Sequence, residues 1–127
     1  MQDSDLLDVA TLFMAAATRL YPEARWPMDS HIFARTVEEL AKTGNTFASR
    51  FFVHDTVLGR GCYQFDEMLS MALYLSYISY LSPGYKQFVL NVTPRQASRI
   101  LDKSTESERE GATAVVAAYA LACGLSP

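Results

Sequence analysis

The stretch 65–81 constrains this chain most, because Met68, Leu69, Met71, Leu73, Leu75, Ile78 and Leu81 are interleaved with Tyr74, Tyr77 and Tyr80. Their side chains point in nearly every helical direction. A helix apolar on all sides has no wet face and belongs in the middle of a bundle. The stretch therefore predicts a central helix, closed off by Ser82, Pro83 and Gly84. It is shorter than a bilayer span and is interrupted by Ser70, Ser76 and Ser79, so no membrane-spanning segment is expected.

Local punctuation places the elements around it. Leu6, Val9, Ala10, Phe13, Ala17 and Leu20 recur at helical spacing and predict a helix over 4–20, with Asp3 or Ser4 as cap and Pro22 blocking its continuation. Asp5 and Asp8 sit near the positive end of its dipole. Residues 21–29 read as a loop bracketed by two prolines. A second helix starts at Asp29 or Ser30, buries Ile32, Phe33, Val37, Leu40 and Ala41, and stops at Gly44. Thr93-Pro94-Arg95-Gln96 has the form of a capping box with proline in the first helical position, opening a helix to about residue 103. Thr105 and Glu108 repeat that logic for a last helix over about 106–123. Gly111 and six alanines there allow close approach of neighbouring axes, and Gly124 ends it.

Two segments carry mixed signals. Phe47, Phe51, Asp55 and Leu58 share one helical face and predict a helix to about residue 58. The alternative is a short β-hairpin near 51–65, turning through Gly59-Arg60-Gly61. Residues 85–92 fit either a short extended piece or a further helical turn. The expected fold is all-α: one domain over 1–127, a compact bundle of five to six helices around 65–81, with that hairpin as its one departure.

The chain has 127 residues, half of them apolar and a fifth charged, as ordinary globular domains do. A net charge of −3 with scattered Lys and Arg argues against nucleic acid as a partner, since phosphate neutralisation supplies most of that affinity. Cys62 and Cys123 are too few and too far apart for a disulfide framework or zinc site. The acidic N-terminal residues lack the basic region of a secretory signal. A reducing, cytoplasmic setting is expected.

Candidate chemistry is sparse. Cys62 is the one thiol with a case for reactivity: a helix starting just after it, together with Arg60, would favour the thiolate, and His54 is its nearest candidate partner. The plainer account is a small apolar residue at the start of a helix. His31 and His54 are the only histidines and cannot build a multi-histidine metal site. No cofactor is expected, and the chain is not expected to be an enzyme. Tyr21, Arg25, Trp26 and Met28 are candidates for a protein interface, because Trp and Tyr bury large rigid surfaces with a polar tip. The competing account folds Trp26 down as a lid over the first two helices. Arg95, Arg99 and Lys103 lie at i, i+4 and i+8 and form a basic stripe, opposed by the neighbouring Glu106, Glu108 and Glu110.

These observations point first to a small helical interaction protein, such as an adaptor, chaperone, immunity protein or inhibitor, acting by binding another protein. A homodimer through the alanine-rich last helix is a further arrangement its small residues would suit. The alternative is a nucleic-acid-associated regulator using Arg95, Arg99 and Lys103. A small thiol enzyme centred on Cys62 is the third reading.

Overall fold

A computed structural model describes residues 3–125. Among them are five α-helices: α1 (Asp3–Leu20), α2 (Ser30–Lys42), α3 (Tyr63–Tyr74), α4 (Pro94–Lys103) and α5 (Glu106–Ala122). Five short strands accompany them: β1 (Trp26–Pro27), β2 (His54–Thr56), β3 (Gly59–Gly61), β4 (Ile78–Tyr80) and β5 (Gln87–Leu90). The strands form an antiparallel sheet in the order β1-β5-β4 and a separate hairpin, β2-β3. With 59% helix and 12% strand, the fold is mixed α/β with two sheets, which corrects the all-α bundle expected from the sequence.

The central helix is α1, not 65–81. It packs against α3, α4 and α5, and every residue from 12 to 18 is buried, so about two turns are enclosed on all sides. Small residues make this enclosure feasible: Ala15, Ala16 and Ala17 let neighbouring axes close in, and the Thr18 hydroxyl is satisfied by donating to the Met14 carbonyl at 2.8 Å. By contrast α3 buries Phe65, Met68, Leu69 and Ala72 along one side and leaves Leu73 and Tyr74 exposed.

The stretch 65–81 is divided by Ser76, which takes the left-handed conformation (φ 64°). The Ser76 amide bonds back to the Leu73 carbonyl (3.0 Å) and the Tyr77 amide to that of Ala72 (2.9 Å), a Schellman ending without glycine. Beyond it the chain extends into β4, which pairs Ile78 with Leu90 and Tyr80 with Phe88. Aromatic and β-branched residues suit that strand as well as they suit a buried helix.

The helix expected to about residue 58 is also replaced. Asn45 accepts from the Ala48 amide (2.9 Å) and donates to the Gly111 carbonyl (3.1 Å), which ties this segment to α5 and supports only a short 3-10 turn, Ala48–Arg50. Phe47 and Phe51 still enter the core, in edge-on contact at 5.6 Å. The hairpin follows, tighter than the alternative reading had it, turning at Val57-Leu58 and not through Gly59-Arg60-Gly61. Residues 87–90 resolve the second ambiguous segment as strand.

Trp26 is fully buried. Its indole lies nearly parallel to Tyr119 (centroids 6.3 Å, planes 2° apart) and to Phe88 (6.2 Å, 10°), with Phe13 and Tyr21 edge-on to it. The Tyr119 hydroxyl donates to the Pro27 carbonyl and accepts from the Asp29 amide (3.1 Å), pinning the 26–29 segment onto α5. Asp29 in turn caps α2 by accepting from the His31 and Ile32 amides. The two capping boxes opening α4 and α5 are both formed.

Candidate interaction surface

Of the four residues expected at an interface, Trp26 belongs to the core, Tyr21 and Met28 are half-buried against it, and only Arg25 is exposed. A partner would have to dismantle the aromatic cluster to reach Trp26. The exposed apolar surface is concentrated elsewhere, on and beside the β2-β3 hairpin. At its tip Val57 is 102% exposed and Leu58 81%; at its base Phe52 is 70% exposed and Tyr63 67%. Apolar surface left exposed in this way is shielded from water when a partner binds it.

The hairpin is held firmly to α2. Ser30 Oγ donates to the Cys62 carbonyl (3.1 Å) and accepts from the Cys62 amide (3.0 Å). His31 Nδ1 meets the Arg60 carbonyl at 2.6 Å. The Arg60 guanidinium spans Asp55 across the hairpin (2.8 Å) and Glu38 on α2 (2.5 Å). Hydrogen bonds to Asp55 and then Glu38 push that guanidinium's pKa above its ordinary value, so it stays charged at any relevant pH. Inside the turn, Thr56 Oγ1 donates to the Gly59 carbonyl (2.7 Å) and accepts from the Leu58 amide (3.1 Å). Gly59 supplies a φ of 116°, open to glycine alone at little cost. At the base, His54 stacks on Tyr63 at 3.9 Å, and the Phe52 amide donates to the Gln64 side chain.

The structure places Cys62 and His54 on this hairpin without making them a catalytic pair. Cys62 is buried, and burial pushes its thiol up; the Phe65 and Gln64 amides at the start of α3 oppose this but do not overcome it. Arg60, expected to favour the thiolate, is engaged by two carboxylates instead. The His54 ring is stacked on Tyr63, and its buried Nε2 has no hydrogen-bond partner among the described residues.

Arg95, Arg99 and Lys103 lie exposed along α4, whose Ala97 and Leu101 face the core. None of the three reaches a carboxylate among the described residues. Arg99 and Lys103 border a groove that also contains Tyr77 and Ile100. Among the described residues no three His, Cys, Asp or Glu side chains gather as a metal ion would need, and no helix is long and apolar enough to cross a membrane.

Sequence reasoning missed the hairpin surface because it assigned Phe51 and Leu58 to one helical face. The available signal was the β-branched Val53 and Thr56 ahead of Gly59, read with a turn at Val57-Leu58. The chain matches no protein-family model, no curated protein and no solved structure.

Proposed function

We propose that this protein is an interaction module that binds another protein through the β2-β3 hairpin, without turnover of its own. The observation that carries the reading is the exposure of Val57 and Leu58 at the tip of a hairpin fastened to α2 through Ser30, His31 and Glu38. An apolar tip on a rigid support loses little conformational freedom on binding, so more of its burial becomes affinity. The partner this fits is a protein with an apolar groove wide enough for a two-residue turn. Adaptor, chaperone, immunity and inhibitor roles are all served by such a surface. Two free thiols fit a reducing compartment such as the cytoplasm.

The test is affinity capture from native lysate with the wild-type chain and with the double variant Val57→Asp/Leu58→Asp. The expected outcome is one identified partner, reproduced with purified components and lost with the variant while the variant's circular dichroism and melting remain those of wild type. Equal capture of that partner by both chains would remove the hairpin from the interface. Failure to recover any specific partner would overturn the reading itself.

A second reading, nucleic-acid binding along α4, is favoured by one observation: among the described residues Arg95, Arg99 and Lys103 have no carboxylate partner. It requires a DNA or RNA mobility shift at low salt that Arg99→Glu abolishes. Absence of any shift excludes it.

A further inference from the structure

Two long cations line a cleft on the sheet side of the molecule. Arg25 immediately precedes β1, and Lys86 immediately precedes β5; together with Leu81, Ser82, Pro83 and Gln87 they line a cleft of about 420 Å³. This volume lies within the roughly 300–1,000 Å³ range of small-molecule sites. Among the described residues no carboxylate lines it.

The backbone around the cleft is fixed. Leu81 and Gln87 are joined by an amide-to-carbonyl bond of 2.9 Å, Tyr85 bonds back to Leu81 at 3.1 Å, and Met28 bonds to the Lys86 carbonyl at 3.1 Å. Trp26, one residue after Arg25, is locked against Phe88 and Tyr119. The antiparallel register, with Trp26 opposite Phe88 and Pro27 opposite Gln87, holds the segment that carries Arg25 beside the one that carries Lys86.

Several cations elsewhere on the surface are already neutralised by carboxylates. Arg50 pairs with Asp5 and Asp8, Arg60 with Asp55 and Glu38, and Lys42 with Glu39. Among the described residues neither Arg25 nor Lys86 has such a partner, although the chain is acidic overall. Two like charges on one concave surface repel each other, and an anion seated between them converts that repulsion into attraction. Another cleft, of about 450 Å³, has the opposite character, with Glu106 and Glu110 in its lining.

We propose that the Arg25–Lys86 cleft is a binding site for a phosphomonoester group. Two permanent positive charges match a group carrying about −1.5 to −2 at neutral pH, whereas a single carboxylate would leave one cation uncompensated. Arg25 offers the planar donor fork that suits phosphate oxygens, and Lys86 offers a point charge. The Ser82 hydroxyl and the Gln87 amide supply neutral donors from the same lining. The group is carried either by a small phosphorylated metabolite or by a phosphorylated side chain, and the recognising chemistry is the same.

The test is a titration of the full, isotope-labelled chain followed by amide NMR shifts, using inorganic phosphate, O-phosphoserine and acetate, with sodium chloride at matched ionic strength as control. Saturable shifts confined to the amides of Arg25, Ser82, Lys86 and Gln87 are expected with the two phosphates. The double variant Arg25→Gln/Lys86→Gln should weaken them by roughly tenfold or more while the rest of its spectrum stays unchanged. Phosphoserine binding well above phosphate would assign the group to a phosphorylated side chain; equal binding would assign it to a small metabolite. Equal shifts with sodium chloride, an undiminished response in the double variant, or acetate binding as tightly as phosphate would each overturn the proposal.

Discussion

Ser30 and Cys62 exchange two hydrogen bonds: the Ser30 hydroxyl accepts from the Cys62 amide at 3.0 Å and donates to the Cys62 carbonyl at 3.1 Å. One side chain on α2 thus does for the end of β3 what a neighbouring strand would do. Gly61, the residue before it, is buried, and a Cβ there would lie 3.1 Å from the Thr56 methyl and 3.8 Å from Ser30 Oγ. The hairpin's position depends on this close fit.

Ser30→Ala is expected to lower stability by about 1–3 kcal/mol, because it leaves a donor and an acceptor unpaired in a partly buried place. Hydrogen exchange at the Cys62 amide should accelerate more than exchange in α1 or α5. Unchanged protection at Cys62 would show that the hairpin is held by other contacts.

Tyr119→Phe keeps the aromatic stack on Trp26 but removes both hydrogen bonds to the 27–29 segment. A loss of about 1–3 kcal/mol is expected in chemical denaturation. Trp26 fluorescence in the native state should remain shielded from iodide in both proteins, since the indole is fully buried. Quenching in the wild type would contradict the placement of Trp26.

Ionisable groups in the core set the alkaline limit of the fold. Burial raises the Cys62, Cys123 and Tyr119 pKa values, so in the folded state all three hold their protons beyond the pH at which the unfolded chain begins to lose them. The unfolded state then binds fewer protons, and stability, complete below the ordinary thiol value of about 8.5, falls as pH rises through it. Denaturation midpoints measured between neutral and alkaline pH should show this decline, and Cys62→Ala should flatten it. At neutral pH, Cys62 should alkylate more slowly than Cys123, which is only half-buried.

Gly111→Ala should be destabilising even though alanine is the better helix former. A Cβ there would sit 2.9 Å from the Phe47 Cβ and 3.0 Å from Asn45 Oδ1. Relief requires the 45–47 segment to move off α5, at about 1–3 kcal/mol. A melting temperature equal to or above wild type would refute this close packing.

Three helices end on the same Schellman pattern, and only two of the endings were legible in the sequence. After α2 and α5 the left-handed residue is Gly44 (φ 88°) and Gly124 (φ 78°), which are the residues that punctuation rules look for. After α3 it is Ser76, and nothing in the local sequence distinguishes it from the helical serine Ser70. The capping residues Thr93 and Thr105 were readable because side chain and backbone satisfy each other within four residues. The place of Trp26 was not, since its partners Phe88 and Tyr119 are distant in sequence. The same holds for Asp5 and Asp8: near a helix start they read as dipole partners, yet they also hold Arg50. For the interaction surface, what was legible was the abundance of large apolar residues; which of them stay outside depended on the register of β2 with β3.

Ser76→Gly offers a direct check, because a left-handed serine carries strain that glycine does not. Stability should rise by about 0.5–1 kcal/mol, the relief of strain exceeding the added freedom of the unfolded chain. A decrease would mean that the serine side chain contributes more than its backbone conformation costs.

The burial of α1 has a consequence for how the protein is made. It is synthesised before α3, α4 and α5, the helices that enclose it. Until those helices have been made, its Leu12–Phe13–Met14 segment lacks its native cover, and its contacts with α4 and α5 join segments far apart in sequence. Such long-range closure slows folding and prolongs the exposure of apolar surface to other molecules. Truncation within α5 is therefore expected to yield aggregates rather than a smaller folded unit, which size-exclusion chromatography would show.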